Sequence, residues 1–149
     1  MITGSVVDPS SFEKGGTLVL DAFKPGSGTE ANDDSDQLSL MMVKGIRDAL
    51  PAGNTQFTLS TDDQKNSDFV LDGYIDDYGR DKHFTHMNLR KTQVHLSMDG
   101  EIWLRETGEK VLTFQTSTVI DLKKQDPKTV AYQIGVTIAH YIASKGSNS

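Results

Sequence analysis

Apolar positions recur along this chain at two different periods, and the changes between them mark its elements. Thr17 to Phe23 is a short β-branched and apolar run bounded by Gly16 and Pro25, which predicts a buried first strand. From Leu38 the spacing becomes three and four. Leu38, Met41, Met42, Ile46, Ala49 and Leu50 fall on one helical face, with Asp34 or Ser35 as the cap and Pro51 and Gly53 as the stop. Phe57 to Leu59 is a brief second strand and Thr61 to Ser67 a polar loop. In Asp68 to Tyr78, a third strand, Phe69, Leu71 and Ile75 share one side with Gly73, where a close neighbour can pass. Thr92 to Leu122 alternates as two long strands around Glu106-Thr107-Gly108-Glu109, which predicts a hairpin. A tip at Thr107-Gly108 pairs Leu104 with Val111, Trp103 with Leu112 and Ile102 with Thr113. Val94, Leu96, Met98, Ile102 and Leu104 then form one face, and Trp103, Leu112 and Phe114 lie together on the other. Asp126-Pro127 opens a closing helix with Val130, Ala131, Ile134, Ile138, Tyr141 and Ile142 as its apolar stripe and Gly146 marking its end.

The order is therefore β-α-β-β-β-β-α. Each helix has one apolar stripe, so both bury it on the same face of a sheet. The expected fold is an α+β two-layer sandwich, a mixed and mostly antiparallel sheet of about five strands with two long helices on one face. Residues 17–146 make a single α/β domain. Residues 1–16, with Pro9, three serines and Gly15-Gly16, read as an extended leader or tether, and residues 147–149 as a disordered tail.

Charge and composition narrow the function. Lys+Arg of 15 against Asp+Glu of 21 gives a net charge of -6, with no basic run to neutralise phosphates, so no nucleic-acid partner is expected. The absence of cysteine removes disulfides, thiolate metal sites and cysteine nucleophiles. No apolar stretch approaches the roughly 20 residues of a membrane-spanning helix, and Met1 to Ser5 has neither the charge nor the length of a signal peptide. The domain reads as soluble; if it is exported, its signal has been removed.

Four motifs invite chemistry. Gly26, Gly28 and Ala31 match a dinucleotide-loop spacing, but Glu30, Asp33, Asp34 and Asp36 place negative charge where a pyrophosphate would sit. The same aspartates lack the glycine and terminal glutamate of a calcium loop and are explained by helix capping. His83 and His86, with Asp81 nearby and His95 on the next strand, are the best available metal ligands, although exposed loop histidines are the better explanation of the spacing. Asp99 and Glu101 share a strand face, as an acid–base pair would, yet the neighbouring sequence supplies no apolar pocket for that chemistry. The expectation is a non-enzyme with no catalytic residues, cofactor or resident metal. Its contact surface is Trp103, Leu112 and Phe114 on the uncovered sheet face, used on a protein partner or a second copy, the competing reading being that the leader or a loop covers them or that the hairpin register is off by one. The alternative is a small-ligand or metal-binding protein using the His83, His86 and His95 region with Asp81.

Ser67-Asp68-Phe69-Val70-Leu71-Asp72-Gly73-Tyr74-Ile75, then Val94 to Leu104, Glu106 to Leu112 and a closing helix, carry a further signal. This pattern resembles a group of bacterial outer-membrane lipoproteins: the curli-secretion lipoprotein, the lipoprotein of pel polysaccharide export, the amino-terminal domain of the Tol-Pal translocation protein, and lipoproteins of unknown function. The Tol-like members have another helix where Thr61 to Ser67 offers a loop, which sets this chain nearest the lipoproteins of unknown function. The resemblance implies a periplasmic domain, tethered to the outer membrane through a lipidated cysteine upstream, that forms rings or docks on an export machine. It implies scaffolding by protein–protein contact and carries over no functional residue.

Overall fold

Two amphipathic helices over a sheet of alternating strands are what these patterns require, and the computed structural model has that architecture. It describes residues 2–28, 33–53, 56–60, 67–79 and 92–147. In chain order the elements are β1 (Ile2–Val6), α1 (Pro9–Lys14), β2 (Gly16–Gly28), α2 (Asp33–Ala49), a 3-10 turn (Pro51–Gly53), β3 (Phe57–Leu59), β4 (Phe69–Gly79), β5 (Gln93–Leu104), β6 (Lys110–Asp121) and α3 (Pro127–Ser147). The strands form one sheet in the order β1-β6-β5-β4-β2-β3, curled into a half-barrel. β2 runs parallel to both β3 and β4, and the pairs β4–β5, β5–β6 and β6–β1 are antiparallel. Parallel neighbours need a crossover, and α2 supplies it between β2 and β3. The α+β class is as expected, but with six strands and three helices in place of about five and two.

One row of inward side chains from each layer makes the core. Leu38, Met42, Val43 and Ile46 of α2 and Val130, Ala131, Ile138 and Ile142 of α3 are buried against Leu18, Phe23, Leu71, Ile75, Leu96, Met98 and Ile102 of the sheet. Asp126 starts α3 by accepting from the backbone N–H of Lys128 at 3.3 Å and the hydroxyl of Thr129 at 3.4 Å, and Pro127 takes the first position, where its missing N–H costs nothing. The helices touch backbone to backbone where Gly45 meets Gly135. A Cβ added at Gly135 would lie 2.1 Å from the Met42 carbonyl oxygen, and one at Gly45 2.2 Å from that of Tyr132. In β2 a bulge between Leu20 and Phe23 breaks the ladder to β4, and the Phe23 N–H is recovered by donating to the buried Ser39 hydroxyl of α2 at 2.8 Å.

Two expectations are corrected. Residues 1–16 are not a bare leader: they contribute β1, an edge strand on β6, and α1, capped by Asp8, whose carboxylate accepts from the Ser11 backbone N–H. Phe12 of α1 is 2 % exposed and packs edge-on against Phe57, which packs edge-on against Phe69. A lone phenylalanine among polar residues has no period to announce it, and β1 pairs with a strand more than a hundred residues away.

The hairpin is present, but its register differs by one. Leu104 and Lys110 flank a loop of Arg105 to Glu109, closed by the Gly108 N–H donating to the Leu104 carbonyl at 2.7 Å. Gly108 sits at φ 76°, a conformation that favours glycine. Beyond a bulge at Val111, Ile102 lies opposite Leu112 and Gly100 opposite Phe114. A slip of one residue sends every side chain of the second arm to the other face. Leu112, Phe114 and Ile120 therefore join Val94, Leu96, Met98 and Ile102 in the core.

Candidate functional site

The face of the sheet turned away from the helices is the surface the fold leaves open. With Phe69, Leu71, Gly73 and Ile75 of β4 inward, strand alternation turns Val70, Asp72 and Tyr74 outward, and the register sets Asp72 opposite Glu101, Tyr74 opposite Asp99 and Val70 opposite Trp103. The expected contact trio is thus divided. Trp103 lies on the open face, half-buried, and its indole Nε1–H donates to Asp72 Oδ1 at 3.0 Å. Leu112 and Phe114, 0 % and 2 % exposed, are core residues and no surface for a partner. The Phe114 ring instead packs over Gly100, where an added Cβ would come within 2.4 Å of it.

Carboxylates dominate this face. Opposed like charges such as Asp72 and Glu101 cost stability. Glu101 is relieved by Lys110, whose Nζ is 3.2 Å from Oε2. Burial raises Asp72 above the ordinary 3.8, with Glu101 adding to the rise and the Trp103 N–H opposing it. Asp76 is raised by burial, then by Asp99 and Asp77. A groove of about 450 Å³ crosses this face between Thr3, Tyr74, Asp99, Glu101, Lys110 and Gln115. A second, of about 460 Å³, runs past Asp76, His95, Ser97 and Ser117.

Of the metal-ligand set, only His95 can be placed; Asp81, His83 and His86 lie outside the described residues. His95 is 4 % exposed, and burial lowers its pKa from 6.5 while Asp77 acts in the opposite sense. Among the described residues no group of three or more His, Asp or Glu is placed to hold a metal ion. No described helix is long and apolar enough to cross a membrane. Asp72 and Tyr74 were overlooked in sequence although the alternation of β4 assigns them outward; Asp77 is hidden by a bulge at Asp76, which reverses the alternation beyond it.

No protein-family model and no curated protein sequence matches the chain. Solved structures do match. A PelC dodecamer from Paraburkholderia phytofirmans has 13% identity and a TM-score of 0.59 over 95% of this chain and 98% of that one. A presumed lipoprotein from Caulobacter crescentus has 10% identity and a TM-score of 0.52, covering 94% and 96%. A Xanthomonas campestris protein of a family of unknown function has 10% identity and a TM-score of 0.55, covering 89% and 87%. The chain therefore shares their fold over nearly its whole described length.

Proposed function

We propose that this chain is a non-enzymatic module of the bacterial envelope that acts by protein–protein contact and self-association, as a scaffold in an assembly or export system. One observation carries the reading: the full-length fold likeness to PelC, a protein crystallised as a dodecamer. The likeness to a presumed lipoprotein and the sequence resemblance favour a periplasmic position, held at the outer membrane by a lipid anchor upstream. In this reading the open sheet face is turned to a partner protein. Trp103 and the 52 % exposed Tyr74 supply aromatic area among the carboxylates of Asp72, Asp99 and Glu101.

The test is the native mass of the purified chain, by sedimentation or light scattering, over a range of concentrations. The expected result is an assembly larger than one chain. A single-chain mass at every concentration removes self-association, and a stoichiometric ion lost on joint His83→Ala and His86→Ala change would replace the reading with the metal-dependent one.

A further inference from the structure

β1 closes one end of the sheet, and among the described residues no strand pairs with its outer edge. The Val7 N–H donates to the Val111 carbonyl at 2.8 Å, and Val6 lies opposite Leu112. Antiparallel alternation then turns the N–H and C=O groups of Thr3 and Ser5 toward β6 and those of Ile2, Gly4 and Val6 outward. Sheet edges usually carry a lysine, a proline or a bulge that deters further pairing. β1 carries none of these: Ile2-Thr3-Gly4-Ser5-Val6 is uncharged and pairs through five consecutive positions without a register shift.

The strand behind it is uncharged as well. From Val111 to Ile120, β6 has no charged residue, although 24% of the chain is charged. The rest of the open face holds Asp72, Asp76, Asp99 and Glu101. For two copies of a chain of net charge -6, the β1 end lets them meet without setting carboxylate against carboxylate. Depletion of charge is also what marks the centre of protein interfaces.

We infer that β1 is the contact by which two copies of this chain join, strand to strand and antiparallel, about a two-fold axis at Gly4. This rests on the self-association reading above and names its surface. Hydrogen-bond alternation sets the register. Ile2 opposite Val6 of the second copy, and Gly4 opposite Gly4, uses every outward N–H and C=O on both edges. Ile2 and Val6, each half-buried beside the core, then cover one another across the axis. On the open face Thr3 meets Ser5 of the second copy as a non-hydrogen-bonded pair, the closer of the two antiparallel spacings. The contact is isologous, so it closes on itself as a dimer and can serve as one of two interfaces in a larger ring.

Thr3 and Ser5 are exposed and uncharged, so changing them tests the contact while sparing β6. Thr3→Lys with Ser5→Lys opposes like charges across the axis; native mass is expected to fall at least two-fold with an unchanged far-UV spectrum. Thr3→Glu with Ser5→Lys opposes unlike charges and is expected to restore the mass. The full chain has no cysteine, so Thr3→Cys with Ser5→Cys is expected to give a disulfide-linked pair on a non-reducing gel, and neither change alone should do so. An assembly whose mass ignores the double lysine change overturns the inference and leaves self-association standing. A wild-type chain that is single at all concentrations defeats both, and cross-linking by either cysteine alone overturns the register.

Discussion

Phe114 and Trp103 show how much can turn on one residue of register. Both are large aromatics on a hairpin, and their sequence neighbourhoods do not distinguish a core ring from a surface anchor. The bulge at Val111 puts Phe114 over Gly100, inside, and leaves Trp103 outside with its N–H on Asp72. Truncating Phe114 would therefore unfold the domain before it revealed anything about binding. His95 makes a testable claim at this scale. Its pKa is lowered by burial, so below about pH 6.5 the unfolded chain binds more protons than the folded one. Stability is thus fully present above the unfolded value and declines as pH falls toward the folded value. His95→Gln should flatten the change in thermal midpoint between about pH 7.5 and pH 5.5, where imidazole titrates. Asp72 and Asp76, whose raised pKa values act in the opposite sense from 3.8 upward, contribute equally to both proteins and cancel in the comparison. An identical pH slope in both would exclude the buried imidazole as its source.

At the scale of elements, the crossing of α2 on α3 is set by the two glycines where the backbones meet. Gly135→Ala should raise intrinsic helix propensity by about 1 kcal/mol. It also forces a methyl to 2.1 Å from the Met42 carbonyl oxygen. The overpacking cost of about 1–3 kcal/mol is expected to win, lowering the urea midpoint; a higher midpoint would show that the helices separate freely. Both long helices were legible in the sequence, because Leu38, Met42 and Ile46 recur at helical spacing and Asp126-Pro127 announces a start. The hairpin was legible too, since its arms alternate over a dozen residues each. Its register was not, because a loop closed by a left-handed Gly108 followed by a bulge looks, in sequence, like a two-residue tip. With the register went the contact site: of Trp103, Leu112 and Phe114 only the first is at the surface. The outward row of β4, Asp72 and Tyr74, was open to the same alternation argument that identified Phe69, Leu71 and Ile75.

For the molecule as a whole, the pairing of Ile2 with Thr116 joins positions more than a hundred residues apart. A contact this distant in sequence forms only after the hairpin is in place, since a long loop must close first. β1 is therefore expected to dock late and to leave early. Its departure would bare Leu112 to Thr116 of β6, an uncharged run that continues to Ile120, as a new sheet edge. Such a segment is a template for indiscriminate strand addition. A chain shortened by its first seven residues should scatter light within hours at concentrations where the full chain stays clear, and prolonged clarity would show that the edge is harmless. The amino-terminal strand is in this sense a guard as well as a joint: the segment that composition alone marks as dispensable keeps the stickiest edge of the domain out of water.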